Sequence, residues 1–385
     1  MVANATAIAG LGITEMGKVY GPTSSEFAAL AIQRAVDDAG LTLADIDGLF
    51  VSSGATHSVS PDLQRLLGLR NLPMLAQIEA YGSTAIGMIQ YASLAIESGM
   101  ANVVACVWGD APLQPNGASA YGQPRPRVGF DSIPSAVGLI GANPRYALAA
   151  RRHMEAFGTT TDDFAAVAVG QRTWAERNPL AQMRKPMTVA DHHNSRMIAD
   201  PLRLLDCCLV SNGGVAVIVT SAERAADLRQ PPIHVWGWGQ AHPGYPMRHG
   251  SSFGLVSGAK QSGAAAMAMA GVSPSDVDIC EIYDCYTYTV IITLEDYGFC
   301  AKGEGGRFAA SGALAPGGAL PTNTGGGQLS GYYAWGMTPL SEAVIQARGR
   351  GGDRQVERND IVLVSGNGGT LDHHATLIVS SIRRS

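Results

Sequence analysis

The sequence predicts a layered α/β fold built from two similar halves, and three observations carry that expectation. Residues 39–47 read AGLTLADID and residues 270–278 read AGVSPSDVD, a match in spacing and residue class. Both copies follow an alanine-rich helical stretch and lead into a short apolar strand. The elements downstream of each copy also correspond in order, and helices alternating with short apolar strands are the pattern of stacked α/β layers.

In the first half, a glycine-bearing strand is expected over 7–14, a helix over 28–38 and a strand over 48–52 (GLFVS). A buried helix over 83–98 and a strand over 103–108 ending in Gly109 and Asp110 follow. The second half repeats the scheme with a strand over 233–240, a helix over 262–269, a strand over 279–283 (ICEIY), a helix over 338–348 and a strand over 361–365. Thr338 is a suitable N-cap for that last helix and Pro339 its first residue, with Leu340, Ala343, Val344 and Ala347 on one apolar face. Between the halves, residues 112–126 are rich in Pro, Gly, Ser and Ala and read as loop. Helices are expected over 146–157 and 162–178, with mixed loop over 188–203, so this section reads as a cap over a site. The expected division is residues 1–111 with 205–230 as one half, 112–204 as inserted cap and 231–385 as the other half.

The 385 residues are 46% hydrophobic and 15% charged, which describes a chain with a large buried core rather than a disordered one. A formal net charge of -5 argues against nucleic-acid or anionic-membrane binding and leaves small molecules and proteins as partners. The six cysteines follow neither metal-ligand nor disulfide spacing, so no metal is expected and a reducing cytoplasm fits best. The opening residues MVANATAIAGLG lack the basic and apolar regions of a secretory leader, and the longest uncharged run, 80–96, is too polar for a membrane span. The adjacent His192 and His193 read as surface histidines rather than metal ligands, since neighbours in a helix or strand do not easily face one ion.

Four loops gather the residues that could carry chemistry: 79–84 (EAYGST), 283–287 (YDCYT), 323–336 (NTGGGQLSGYYAWG) and 365–369 (SGNGG). Strand ends beside helix starts are where α/β sheets place ligands. The glycines at 325–327 allow positive φ and close approach of backbone to a ligand, and the loop carries Tyr332 and Tyr333 toward a helix N-terminus. The groups on offer are carboxylate, phenol, thiol and amide. No Ser/His/Asp set and no phosphate loop of the G-x-x-x-x-G-K-S kind is evident.

These segments resemble thiolases of the sterol-carrier-protein type. EIYDCYTYTVIITLEDYGFCAKGEG followed by NTGGGQLSGYYAWG is similar to the family's H-D-C-F and N-x-S-G-G-x-x-x-x-G-H-P-x-G segments in the same order. EAYGSTA resembles its C-A-T-G-S-T-A nucleophile segment, SRMIADPLRLLDCCLVSNGGVAVIV its middle segment, and SGNGG its C-x-G loop. The resemblance covers nearly the whole chain and implies the thiolase-like five-layered αβαβα fold of two duplicated halves, usually dimeric.

The departures from the pattern carry the functional expectation. Glu79 stands where the acyl-accepting cysteine would be, Tyr333 replaces the histidine of G-H-P, Tyr283 that of H-D-C-F, and Gly366 the cysteine of C-x-G. A carboxylate does not replace a thiolate that must store an acyl group as thioester, so thiolysis and Claisen condensation are not expected. Altered proteins of this kind resemble the lipid-transfer-protein-type aldolases of steroid side-chain degradation. That resemblance implies retro-aldol cleavage of a bulky β-hydroxyacyl-CoA without a covalent intermediate, with CoA only as part of the substrate. It also implies a small zinc-ribbon/OB-fold partner.

On that reading Tyr283 and Tyr333 divide two tasks, deprotonating the hydroxyl and bonding the thioester oxygen, and Cys285 or a water returns the proton. Glu79, Asp284, Tyr332, Asn323, Gly326 and Gly368 are the further substrate-site candidates, Asp284 also being a candidate to fix its loop. Cys207 and Cys208 are expected to be buried, inert thiols. The sequence offers no basic cluster for the phosphates of CoA. The alternatives are a non-catalytic acyl-CoA-binding scaffold and an acyltransferase with Cys285 as nucleophile.

Overall fold

The computed structural model describes residues 5–121, 132–244, 250 and 252–384; residues 122–126 of the expected loop lie outside them. The first half runs β1 (Thr6–Ile13), α1 (Ser24–Ala39), β2 (Gly48–Ser52), β3 (Met74–Gln77), α2 (Thr84–Glu97) and β4 (Val103–Asp110). Next come α3 (Asn143–Phe157), α4 (Thr161–Glu176), the hairpin β5 (Met197–Ala199) and β6 (Leu202–Arg203), and β7 (Gly213–Ser221). The second half contains β8 (Ile233–Ala241), α5 (Ala259–Ala270), β9 (Ile279–Glu281), α6 (Thr287–Tyr297), α7 (Met337–Ala347), β10 (Ile361–Gly368) and β11 (His373–Ser380).

The strands lie in the order β3-β2-β4-β7-β1-β8-β11-β10-β9. This is two half-sheets of matching topology, joined where Ala7 pairs with His234 and Ile8 with Ile233. The counterpart of β3 in the second half is reduced to Thr322, which bridges Cys280 in parallel and so starts the glycine loop alongside β9. Helix α1 covers the outer face of the first half-sheet and α5 that of the second, while α2 and α7 touch each other and strands of both. The result is the αβαβα stack. β4 reads VVACVWGD without polar alternation because both its faces are covered.

The nine-residue repeat has one physical job in both places. Gly40 (φ 77°) and Gly271 (φ 60°) end α1 and α5 in the left-handed conformation that suits glycine. Thr42 with Asp45, and Ser273 with Asp276, then form capping boxes on short 3-10 turns. The closing aspartates tie in the next parallel strand: Asp47 accepts from the amides of Asn102 and Val103, and Asp278 from those of Asp360 and Ile361.

Some boundaries differ from expectation for identifiable reasons. β9 stops at Glu281 because the Ile282 amide donates to Asn323 Oδ1 at 2.6 Å instead of continuing the ladder, so Tyr283 lies just beyond the strand. α7 starts at Met337 after Gly336. Thr338 is within its first turn, accepting from the Ala334 amide and donating to the Tyr332 carbonyl, so it is not the N-cap. The mixed loop 188–203 contains a short helix, Val189–Asn194, and the β5–β6 hairpin. His192 is not a surface residue: it is buried with Nε2 2.7 Å from Asp206, while His193 bonds Asp162. No helix among the described residues is long and apolar enough to cross a membrane.

Candidate active site

A cavity of about 490 Å³ opens where the strand-end loops of both halves meet the start of α3. Tyr283 and Cys285 reach it from the segment between β9 and α6, Tyr333 and Trp335 from the glycine loop, and Gly368 from the end of β10. The cap contributes Arg145 and Tyr146 from α3, and Cys208 comes from the strand-like segment before β7. Tyr81 and His373 complete the wall.

The site's phenols and thiols are held protonated. Burial pushes the Tyr283 and Tyr333 hydroxyls well above the usual tyrosine range; Tyr333 raises Tyr283 further, and the Cys208 and Cys285 thiols raise both. Tyr333 has opposing help, since the side chains of Tyr283 and Trp335 interact with its hydroxyl in the sense that favours its phenolate. Burial likewise pushes the Cys285 thiol to about 12, with Tyr146 and Thr289 pulling the other way. That thiol donates weakly to Thr289 Oγ1 at 3.9 Å, and the Cys208 amide donates to the Cys285 carbonyl at 3.0 Å. Tyr121 packs edge-on to Tyr333 with ring centroids 5.8 Å apart. Its hydroxyl donates at 2.7 Å to Asp110, the buried carboxylate at the end of β4.

Thus Tyr283, Tyr333, Cys285 and Gly368 share one cavity, while Glu79, Asp284, Tyr332, Asn323 and Gly326 do not line it. Glu79 accepts from Ser53 Oγ at 2.5 Å and from the Tyr81 amide at 3.2 Å, with His57 Nδ1 3.9 Å away. This trio is no catalytic triad, because the serine sits between acid and histidine and its hydroxyl is buried. Held this way, Glu79 anchors the turn that carries Tyr81, a non-glycine residue at φ 53°, into the cavity mouth.

Asp284 supports the glycine loop from behind. Its carboxylate accepts from the amides of Gln328 and Leu329, and burial raises it to about 6. Gly327 (φ 58°) is required there because a Cβ would lie 2.1 Å from Asp284 Oδ2, and a Cβ on Gly326 would meet Ala175 of α4. The glycines at 326 and 327 therefore admit a carboxylate and a cap helix. The ligand-facing role expected of them falls elsewhere. Tyr332 points into the core, its hydroxyl 2.6 Å from Ser341 Oγ. Asn323 spends its carbonyl oxygen on the Ile282 amide.

Sequence reasoning missed Tyr81, Arg145, Tyr146, His373 and Cys208 as wall residues. Tyr81 sat in the quoted EAYGST segment beside Glu79, and His373 four residues past SGNGG. Arg145 and Tyr146 carry no local signal, because they come from α3, far in the chain from the four loops.

A thiolase C-terminal domain-like family model matches residues 239–381. The chain is 37% identical to a steroid side-chain-cleaving aldolase of Thermomonospora curvata over 376 residues, covering 94% of this chain and 95% of that protein. The chain belongs to this aldolase family of the thiolase superfamily. A second member, the 17-hydroxy-3-oxo-4-pregnene-20-carboxyl-CoA lyase of Mycobacterium tuberculosis, is 35% identical, with 96% of this chain and 98% of that protein covered. Among solved structures, the Ltp2-ChsH2(DUF35) aldolase superposes with a TM-score of 0.88 at 36% identity, covering 100% of this chain and 99% of that one. The protein is a carbon–carbon lyase of thiolase fold.

Proposed function

We propose that the substrate is a bulky, steroid-derived β-hydroxyacyl-CoA, cleaved to a ketone and a shorter acyl-CoA with no covalent enzyme intermediate. The observation that carries this reading is the convergence of Tyr283 and Tyr333 on one cavity while Glu79 is turned away from it toward Ser53. Cleavage needs a base for the β-hydroxyl proton, a donor to the thioester oxygen as it gains enolate charge, and an acid for the α-carbon. Tyr333 is assigned as the base, because the side chains of Tyr283 and Trp335 bond its hydroxyl in the sense that favours the phenolate, opposing the burial that raises it. Tyr283 then donates to the thioester oxygen. Cys285, close to both, is protonated and suited to donation rather than nucleophilic attack.

Arg145 supplies a cation at the cavity for a phosphate or carboxylate of the substrate. A zinc-ribbon/OB-fold partner is part of this reading, supported by the two-protein name of the Ltp2-ChsH2(DUF35) aldolase. A homodimer core is supported by the sheet edge. β3 is the terminal strand, and beside it Tyr91, Leu94 and Met100 are exposed around an apolar groove of about 500 Å³. A cytoplasmic location completes the proposal.

The test is to incubate the protein, with and without the co-expressed partner, with 17-hydroxy-3-oxo-4-pregnene-20-carboxyl-CoA. Mass spectrometry should find the 17-ketone and propionyl-CoA, the fragments that breaking the C17–C20 bond must yield. Acyl label retained on Cys285 would instead support acyl transfer, and binding without turnover would support a scaffold.

A further inference from the structure

Backbone strain gathers at the cavity. Among the described residues, seven other than glycine adopt a positive φ, and three of them, Tyr81 (53°), Trp335 (50°) and Thr370 (63°), line it. A bulky residue keeps that conformation only where its surroundings over-determine it, and such places cluster at ligand sites.

Tyr81 is held from three sides. Its amide donates to Glu79 Oε1 at 3.2 Å, and the other oxygen of Glu79 is fixed by Ser53 Oγ at 2.5 Å. The end of β10 and the glycine loop then press on the turn: a Cβ at Gly368 would lie 2.5 Å from the Tyr81 Cβ, and one at Gly336 would lie 2.3 Å from the Gly82 carbonyl oxygen. The carboxylate that stands where thiolases carry their cysteine is thus spent on presenting a phenol at the cavity mouth.

What is presented is a flat, accessible ring. Tyr81 stays 46% exposed although it stacks on His373, with centroids 5.8 Å and planes 27° apart, and meets Trp335 with centroids 6.2 Å apart. Such a panel of rings has apolar surface left for a ligand. The Trp335 side chain in turn bonds the Tyr333 hydroxyl, so the panel adjoins the phenol assigned to the β-hydroxyl. In a β-hydroxyacyl-CoA the β-carbon carries both that hydroxyl and the group released as the ketone. The ketone-forming group therefore lies beside Tyr333 and against this panel, while CoA extends the other way from the thioester carbonyl.

We propose that Tyr81, with Trp335 beside it, is the specificity-determining wall for the ketone-forming half of the substrate, taking a rigid apolar ring system against its exposed face. Glu79 is the positioning residue that holds Tyr81 there. The proposal rests on the aldolase reading above and adds to it the part of the protein that selects the ring.

The test uses the full chain with its co-expressed partner and two probes that release the same propionyl-CoA. One is 17-hydroxy-3-oxo-4-pregnene-20-carboxyl-CoA, which leaves a steroid ketone; the other is 3-hydroxy-2,3-dimethylbutanoyl-CoA, which leaves acetone. The readout is the ratio of their kcat/KM values, which a general loss of structure would not move. Tyr81→Ala should lower the ratio about 10-fold or more, chiefly through a higher KM for the steroid probe. Tyr81→Phe should restore the wild-type ratio, and Glu79→Ala should lower it in the same direction as Tyr81→Ala. Tyr81→Asn removes the ring with a residue that tolerates the left-handed φ, and it serves if the alanine variant does not fold. A folded ring-less variant with an unchanged ratio would overturn the proposal and leave the aldolase reading intact. Equal losses on both probes are that outcome too, the one expected if Tyr81 stacked on the adenine they share. Wild-type protein that prefers the acetone-releasing probe would likewise overturn the proposal, and wild-type protein that cleaves neither would overturn both it and the aldolase reading.

Discussion

Gly82 lies against the ring of Tyr283 so closely that a Cβ at position 82 would fall 2.2 Å from Cε2 and 2.3 Å from Cζ. The first turn ahead of α2 thus seats a phenol from the other half of the molecule. The same Cβ would also lie 2.2 Å from the Asn367 carbonyl, which cannot retreat as a side chain would.

Gly82→Ala should therefore displace Tyr283 and lower kcat at least 10-fold, in line with the sensitivity of catalysis to misplacement of about 1 Å. Steady-state kinetics beside a thermal melt separate this from unfolding. A fully active, folded Gly82→Ala would contradict the role assigned to Tyr283.

Tyr333→Phe and Tyr283→Phe should each reduce kcat by about 100-fold or more, with Tyr333→Phe the more severe. The asymmetry follows from the support that Tyr283 and Trp335 give to the Tyr333 phenolate. Equal, small losses in both variants would leave the proposed division of labour without support.

Installing the missing thiol should not create a thiolase. Glu79→Cys would place sulfur beside Ser53 and His57, away from the cavity shared by Tyr283 and Tyr333. Acetoacetyl-CoA thiolysis and intact-protein mass spectrometry are expected to show neither turnover nor acylation at position 79.

Asp284→Ala removes the acceptor for the amides of Gln328 and Leu329 inside the protein. Stability should fall by about 3 kcal/mol, the order expected for stranded buried donors, read from urea midpoints. The glycine loop should loosen with it, so kcat should fall as well.

Acid should destabilise the fold through His374. Burial lowers this histidine from 6.5 to about 3, with Nε2 3.0 Å from both the Tyr297 hydroxyl and Ser365 Oγ. Below pH 6.5 the unfolded chain binds a proton that the folded one refuses. The associated stability is complete above that pH and is lost as pH falls toward 3. Urea midpoints measured from pH 7.5 to 4.5 should drop for the wild type and flatten for His374→Gln.

The duplication was legible because its signal is local. Gly40 and Gly271 end helices, Thr42 and Ser273 cap turns, and Asp47 and Asp278 bind the next strand, each within a short stretch of chain. Tyr283 and Tyr333 were legible because they stand at motif positions of a known family. Tyr332 and Glu79 stood beside or on such positions too, yet their side chains turn elsewhere. A phenol can satisfy its hydroxyl on Ser341 in the core, and a carboxylate can satisfy itself on Ser53 and the Tyr81 amide.

By itself the sequence determined the two-half α/β architecture, the absence of a cysteine at position 79 and the presence of phenols where histidines are expected. Only the tertiary structure decided which of those groups meet. Tyr81, Arg145, Tyr283, Tyr333 and His373 come from segments far apart in the chain and become neighbours only when the cap and both half-sheets close over one cavity. The proton affinities that set their chemistry follow from the same closure. Desolvation acts on a phenol, a thiol or an imidazole through its assembled surroundings, and those surroundings are not written next to it in the sequence.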